Sequence, residues 1–364
     1  DGDGTPDNID TDDDNDGVSD ADEATNGTDP LNADSDGDGK NDGAEGTTDT
    51  DGDGNPDILQ GTVADFNEAD YARTVPTSSS RGSMARTLAV APNGMFLAGA
   101  DGCDCVKLFD AAGNEVKTLL TIDSNPRDLS FTPSGTLLGV SGYEADNNAS
   151  VYVYTVDWVN QTASLLVDLS ANHEEDMYAL RFSPDGSLLH VGGQDQNVTT
   201  YYSSNWTIAH IIDVGDDVYT IKTSPDGRMV AFTHGEELSV YWTSNGTEIY
   251  NRHNHSGYTL GLDWSPDGNW IVTGSSDNSI NIYHASNGTL AETLTYSGDV
   301  NEIAFNHAGT HFVIATSDND PTWIVRTSDW TVESSFGDFT GGSGGQSSGR
   351  RGARDVAWSQ DETK

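Results

Sequence analysis

Asp12, Asp14, Asp16, Gly17, Asp20 and Glu23 stand at positions 1, 3, 5, 6, 9 and 12 of a twelve-residue stretch. Asp34, Asp36, Asp38, Gly39, Asp42 and Glu45 repeat that spacing, and Asp49, Asp51, Asp53, Gly54 and Asp57 repeat it with Gln60 in the last place. Asp1, Asp3, Gly4, Asp7 and Asp10 are a partial further copy. Alternate carboxylates on such a loop converge on one point, the glycine permits a sharp turn, and the carbonyl of the seventh place (Val18, Lys40, Asn55) adds an oxygen. A hard cation that takes six to eight oxygens, calcium above all, is served by this design. The register predicts an array holding about three to five Ca2+ ions. The bland alternative is a solvated acidic linker, because blocks of like charge ordinarily stay extended. Random acidity does not, however, place Asp, Gly and Glu in one register several times over.

Apolar residues are nearly absent from this segment, where Ile9, Val18, Leu31, Ile58 and Leu59 stand far apart. Bound cation must therefore replace a hydrophobic core as the source of order. No helical flanks are expected around the loops, which argues against paired EF-hands. The run from Glu23 through Asn26-Gly27-Thr28-Asp29-Pro30 to Asp34-Ser35-Asp36-Gly37-Asp38-Gly39 closely resembles the bacterial form of thrombospondin type 3 repeats. Over residues 1 to 60, that resemblance implies a calcium-filled stalk.

A second repeat occupies the rest of the chain. Residues 262 to 283 contain an apolar run ending at Trp264, the turn Ser265-Pro266-Asp267-Gly268, a second run from Trp270 to Thr273, a turn near Asp277, and the alternating Ile280 and Ile282. That is three short strands and two tight turns. The turn recurs with its glycine at 94, 135, 186, 227, 268 and 309, at intervals of 41, 51, 41, 41 and 41 residues. A period near 40 with several strands per repeat predicts a β-propeller of four-stranded blades. Blades are expected near 84–122, 123–169, 170–214, 215–253, 254–296 and 297–338, the second lengthened by an insertion at 144–149 and an outer hairpin around Asn160. Ala353 to Ser359 begins a seventh, with Val356 and Trp358 in the places of Leu262 and Trp264.

His255 stands nine residues before Trp264, with Asp277 twenty-two after that histidine; His173 and Asp195 repeat the spacing around Phe182. With blade ends such as Phe109-Asp110, Tyr201 and Tyr283, these residues resemble the WD-repeat family. The resemblance implies that each His–Asp pair ties an outer strand to a tight turn, a structural role. The expected architecture is all-β: residues 1–60 as the stalk, 61–83 as a linker with an isolated strand at Tyr71–Val75, and 84–364 as a seven-bladed propeller with its last blade incomplete. Both ends cut through a motif, so continuation beyond Lys364 is expected. Strands donated by a neighbouring molecule are the alternative.

Net charge is −44; the first 70 residues carry 24 acids against Lys40 alone, leaving −21 for the remainder. Such a surface repels phosphate backbones, which excludes nucleic-acid binding as the expected role. No run of 18 apolar residues is present to span a membrane. The only cysteines, Cys103 and Cys105, are either unlinked thiols or a local disulfide, and two thiolates are too few for a zinc site.

Asn-Xaa-Ser/Thr occurs at Asn26, Asn148, Asn160, Asn197, Asn205, Asn245, Asn254 and Asn287. Those of the propeller fall at turns, where glycans are accommodated in a secreted protein and where turn propensity alone would also put Asn. His253-Asn254-His255 has the spacing of a metal pair, but His255 already has its structural place. Glu174-Glu175-Asp176 and Glu236-Glu237 read as solvated acidic loops. No nucleophile elbow, phosphate loop or metal-hydrolase motif is present.

The expected function is an extracellular or cell-surface, non-enzymatic module whose partners are other proteins or copies of itself, as in a surface fibre. A propeller hydrolase or lactonase is the alternative. A channel pocket with inward His and carboxylates from three or more blades would favour it.

Overall fold

The computed structural model describes residues 11–14, 17–26, 30–31, 85–92, 94, 96–100, 104–109, 115–122, 124–143, 149–316, 322–336, 356 and 358. The chain divides into two compact units, Asp1–Tyr71 and Ala72–Lys364. Among its described residues the second unit forms six antiparallel sheets of four strands each, every one a simple meander in sequence order.

Sheet I is β1 (Ala85–Val90), β2 (Phe96–Ala100), β3 (Cys105–Phe109) and β4 (Glu115–Thr121). Sheet II is β5 (Asn125–Phe131), β6 (Leu137–Tyr143), β7 (Ala149–Asp157) and β8 (Thr162–Asp168). Sheet III is β9 (Met177–Phe182), β10 (Leu188–Gly193), β11 (Asn197–Tyr202) and β12 (Ile208–Asp213). Sheet IV is β13 (Val218–Thr223), β14 (Met229–His234), β15 (Glu237–Trp242) and β16 (Glu248–Arg252). Sheet V is β17 (Thr259–Trp264), β18 (Trp270–Ser275), β19 (Ser279–His284) and β20 (Thr289–Thr295). Sheet VI is β21 (Val300–Phe305), β22 (His311–Thr316), β23 (Thr322–Arg326) and β24 (Val332–Phe336). Their first strands contact one another in chain order, which arranges the sheets around a common centre as propeller blades.

The repeated turn explains why the first two strands of a blade pair. In sheet V, Gly268 donates its N–H to the Ser265 carbonyl at 2.8 Å with φ at +71°, a conformation that glycine adopts without steric cost. Ser265 Oγ donates to Asp267 Oδ1 and accepts from Trp270 N at 2.9 Å, while Asn269 N donates to the same Asp267 oxygen at 2.9 Å. Ser183/Asp185 and Ser224/Asp226 build the same network in sheets III and IV. In sheet VI, where the turn motif is degenerate, Asn306 Oδ1 replaces the serine hydroxyl as acceptor for His311 N at 3.0 Å.

The middle strands supply the core. β18 is buried at Ile271, Val272 and Thr273, whereas β20 and β8 are mostly solvent-facing. Apolar clusters form at the blade junctions: Val272, Ile280 and Ile282 of sheet V pack with Val300, Ile303 and Ile314 of sheet VI. The approach is close enough that a Cβ on Gly274 would lie 2.2 Å from Val300 Cγ1. Cys105 is disulfide-bonded and buried; Cys103 lies outside the described residues.

Among the described residues, the first unit departs from expectation at one point. The last four places of its first complete loop, Asp20 to Glu23, open a helix, α1 (Asp20–Asn26), where no helical flank was predicted. The physical reason is a capping arrangement: Ser19 Oγ accepts from Asp22 N at 3.3 Å and donates to Asp22 Oδ2 at 2.8 Å. Asp20, Asp22 and Glu23 lie in the first turn, the favourable end of the helix dipole for acids. The partial loop from Asp1 to Asp10, Asp16, the loops from Asp34 and Asp49, the linker at 61–83 and most of the insertion at 144–149 lie outside the described residues.

One buried histidine gives the propeller a pH dependence. His190 is 0% exposed, with Nδ1 bonded to Thr200 Oγ1 at 2.9 Å. Burial, assisted by nearby His210, pushes its imidazole down from 6.5 to about 3. The unfolded chain therefore takes up a proton below pH 6.5 that the folded chain refuses. Stability is full above that pH and falls as pH drops toward 3. Urea midpoints at pH 7 and pH 5 should show His190→Gln losing about 2 kcal/mol less than wild type over that interval; equal losses would contradict a neutral His190.

Candidate functional site

The six first strands surround a cavity of about 790 Å³, which Val356 and Trp358 also line. Its wall follows from register. Counting back from the turn, the second residue before the Ser or its equivalent is Ala89, Ser130, Arg181, Lys222, Asp263 and Ala304 in sheets I to VI. Ala89, Ser130 and Ala304 are small, whereas Arg181, Lys222 and Asp263 are long or charged, so the ring is asymmetric.

Some of these side chains join neighbouring sheets. Ser130 Oγ accepts from Phe182 N at 3.1 Å and Asp263 Oδ2 from Phe305 N at 2.8 Å. Asp128 Oδ2 accepts from Leu180 N at 2.9 Å, and its Oδ1 accepts from Leu129 N at 2.8 Å. Trp264 Nε1 donates to the Lys222 carbonyl at 3.3 Å, and Trp358 Nε1 donates to the Ala304 carbonyl at 2.9 Å. Lys222 and Ala304 are register equivalents, so the two tryptophans make equivalent contacts with an inner strand.

Lys222 Nζ lies 3.0 Å from Glu302 Oε1, a pair that reaches across sheet V. Burial presses the Lys222 ammonium toward neutrality, but Glu302 and Asp263 outweigh that effect and hold it above the usual lysine value. At one end of the cavity the aromatic rings form an arc. The Arg127 guanidinium carbon is 4.7 Å from the centroid of Tyr143 and 5.4 Å from that of Tyr178. Tyr178 stacks on Tyr219 at 6.1 Å, and Tyr219 meets Tyr258 edge-on at 5.7 Å. Burial, then Asp176 and Asp217, push Tyr178 up to about 12. Asp176 and Asp217 are themselves raised, first by burial and then by the adjoining acids Glu175 and Asp216.

Carboxylates from three blades, Asp128, Asp217 and Glu302, do line the cavity, with His307 among the lining residues. Asp128 and Glu302 are engaged: Asp128 with two backbone N–H groups, and Glu302 with Lys222. Two of the three carboxylates are thus committed to the protein itself, whereas Asp217, its pKa raised by burial, also borders the cavity.

The His–Asp pairs lie away from this cavity. His173 Nδ1 is 2.9 Å from Asp195 Oδ2 and its Nε2 is 3.0 Å from Tyr201 Oη. A carboxylate only accepts, so Nδ1 carries the proton and Nε2 accepts from the tyrosine. His255 Nδ1 is 3.3 Å from Asp277 Oδ2, and Nε2 is 2.8 Å from Thr273 Oγ1. Asp277 also accepts from Ser256 N at 2.8 Å and Ser279 N at 3.0 Å. His253 turns elsewhere, toward Glu236 at 3.2 Å and Glu237 at 3.4 Å, so His253 and His255 do not form a metal pair.

Asn160, Asn205, Asn245, Asn254 and Asn287 are exposed, Asn197 is half-buried with its Nδ2 bonded to the Asp195 carbonyl at 2.7 Å, and Asn148 lies outside the described residues. Asn205, Asn245 and Asn287 occupy one turn in three successive blades, each Oδ1 accepting the N–H two residues on at 3.1, 3.0 and 2.8 Å. In sheet VI Asp329 does the same for Thr331 N at 3.1 Å. The turn requires a side-chain oxygen two residues before a threonine, which either Asn or Asp supplies.

In the first unit, Asp12, Asp14, Val18, Asp20, Glu23 and Asn26 are described. Glu23 is 0% exposed, and Asp20 Oδ1 accepts from Asp13 N at 2.9 Å. Among the described residues no three His, Cys, Asp or Glu form a metal-holding group.

Sequence reasoning missed the cavity residues Arg127, Arg181, Lys222, Glu302 and the tyrosines. Superposing the repeats on their turn glycines would have exposed them as charged or aromatic residues at equivalent places on inner strands.

Six meander sheets joined through their inner strands, with Ser-Pro-Asp-Gly turns and buried His–Asp pairs, are those of a WD-type propeller. Residues 224–308 match the WD40 domain of anaphase-promoting complex subunit 4, and residues 164–201 match the WD domain, G-beta repeat. Residues 12–33 match the bacterial TSP3 repeat. The chain thus carries WD repeats and a bacterial TSP3 repeat. A WD repeat-containing protein of Synechocystis is 26% identical over 176 residues, 47% of this chain and 51% of its own length. Pre-mRNA-processing factor 17 of Saccharomyces cerevisiae is 24% identical over 206 residues, covering 53% of this chain and 43% of that protein. Protein groucho of Drosophila melanogaster is 26% identical over 226 residues, 60% of this chain and 30% of that protein. The matches therefore span about a third to a half of these relatives.

Proposed function

We propose that this protein is an extracellular or cell-surface interaction module in which a calcium-ordered stalk carries a WD-type propeller. The observation that carries the reading is the joining of two repeats in one chain: a TSP3 match at 12–33 and WD matches at 164–201 and 224–308. A propeller binds through the faces and mouth of its ring, and here two of the three cavity carboxylates, Asp128 and Glu302, are already engaged within the protein, which favours binding of other proteins or further copies over catalysis. The place beside sheet VI taken by Val356 and Trp358 is read as the inner strand of a seventh blade, on the strength of the Trp358–Ala304 contact.

The donor chemistry of the first loop suits calcium. Asp12, Asp14, Asp20, Glu23 and the Val18 carbonyl offer oxygen only, and they would hold the ion together with Asp16. Full burial of Glu23 fits that use, because a carboxylate withdrawn from water needs a compensating charge or donors. Calcium would supply the order that an apolar core supplies elsewhere.

Two measurements test this reading. Adding a chelator to the full chain should expand the first 60 residues in small-angle scattering and open them to protease, while near-ultraviolet circular dichroism of the propeller stays constant. Scattering and proteolysis indifferent to chelator would refute the calcium stalk. Intact-peptide mass spectrometry of protein from its native source should find glycan on some of Asn148, Asn160, Asn197, Asn205, Asn245, Asn254 and Asn287. All seven unmodified would count against an external location.

A further inference from the structure

The inner-strand position two residues before each turn holds two kinds of side chain. Ser130 and Asp263 carry acceptors there and cap the N–H of Phe182 and Phe305 in the following sheet. Arg181 and Lys222 occupy the same position and carry only donors, so neither can do that work. Lys222 is accounted for by Glu302 at 3.0 Å. Arg181 is not accounted for: its Nε is buried and has no hydrogen-bond partner among the described residues. Arg127 is in the same condition at Nε, framed by Tyr143 and Tyr178.

The arrangement is unexpected in a chain with 16 basic residues against 60 acids, where a carboxylate partner for an arginine is easily found. Three acids of the inner strands are engaged elsewhere: Asp128 with the N–H groups of Leu129 and Leu180, Glu302 with Lys222, and Asp263 with Phe305 N. Both arginines line the cavity of about 790 Å³, whose wall Ala89, Ser130 and Ala304 keep open by being small. That volume lies within the roughly 300–1,000 Å³ common for small-molecule pockets. Both arginines are half-buried with Nε closed off from water and unpaired, which is costly, and an oxyanion meets the planar fork of a guanidinium with two parallel N–H···O bonds.

We propose that the central cavity binds a small oxyanion, gripped by Arg181 with Arg127 as a second cation. This does not depend on the calcium stalk or on an external location. Tyr178 and Tyr219 also line the cavity, so an organic acid finds aromatic neighbours there that a bare inorganic ion would not use.

The test is calorimetric titration of the full chain in calcium-containing, low-salt buffer with succinate and, separately, with sulfate, which tell a carboxylate from a tetrahedral oxyanion. Saturable binding of one or both anions, one per chain, is expected. Arg181→Gln should weaken it at least tenfold, and Arg181→Lys, which keeps the charge but loses the fork, should fall between. The unfolding midpoint of Arg181→Gln in anion-free buffer should not drop, because no protein hydrogen bond at Nε is lost; this separates a binding role from a structural one. Absence of saturable binding by both anions, or wild-type affinity in Arg181→Gln, would overturn the proposal.

Discussion

Each blade begins with an edge strand, and an edge strand presents backbone N–H groups that its own sheet leaves unpaired. The architecture depends on how that edge is satisfied. The inner edge of β9 gives its Leu180 and Phe182 N–H groups to Asp128 and Ser130 of the preceding sheet, and β21 gives Phe305 N to Asp263. Side chains of one blade thus complete the backbone of the next, which ties separate sheets together through directional bonds. Apolar contacts at the junctions add bulk stabilisation, while at the II–III and V–VI junctions these acceptors fix the register of sheet against sheet.

That constraint sorts the inner-strand residues into those that serve the ring and those free to serve a ligand. Ser130, Asp128 and Asp263 belong to the first kind. Arg181 and Arg127 have no acceptor atoms to give and belong to the second. The same logic removes two of the cavity carboxylates, though not Asp217, from the enzyme alternative. Asp128 and Glu302, which reach the cavity from different blades, are already hydrogen-bonded to scaffold or ion-paired, and a general acid or base must be available to its substrate.

Much of the propeller was legible in the sequence because its turns have strong chemical requirements. A glycine at φ +71° and a serine–aspartate pair ahead of it recur at a period set by the length of a four-stranded meander, so 186, 227 and 268 stand out. The His173–Asp195 and His255–Asp277 spacings were visible for the same reason. Helix α1 was missed although its Ser19-to-Asp22 cap is local, because Ser19 and Asp22 fall inside the Asp register, whose loop spacing calls for no helix. The cavity was not legible residue by residue: Arg181 and Lys222 look like ordinary alternating strand positions until six strands are brought to one centre. The Asn-Xaa-Thr triplets carried an ambiguity that turn geometry accounts for, since Asp329 stands where Asn205, Asn245 and Asn287 stand.

The edge-capping account is tested most directly at Asp263. Native-state hydrogen exchange, resolved at the Phe305 amide, should show that amide losing protection in Asp263→Ala together with about 1–3 kcal/mol of global stability, the cost of orphaning a buried donor. Amides in sheets II and III, whose caps are intact, should keep their protection relative to the global value. A Phe305 amide as slow to exchange in the variant as in wild type would mean that something other than Asp263 closes the edge, and the account of how the blades are joined would be wrong.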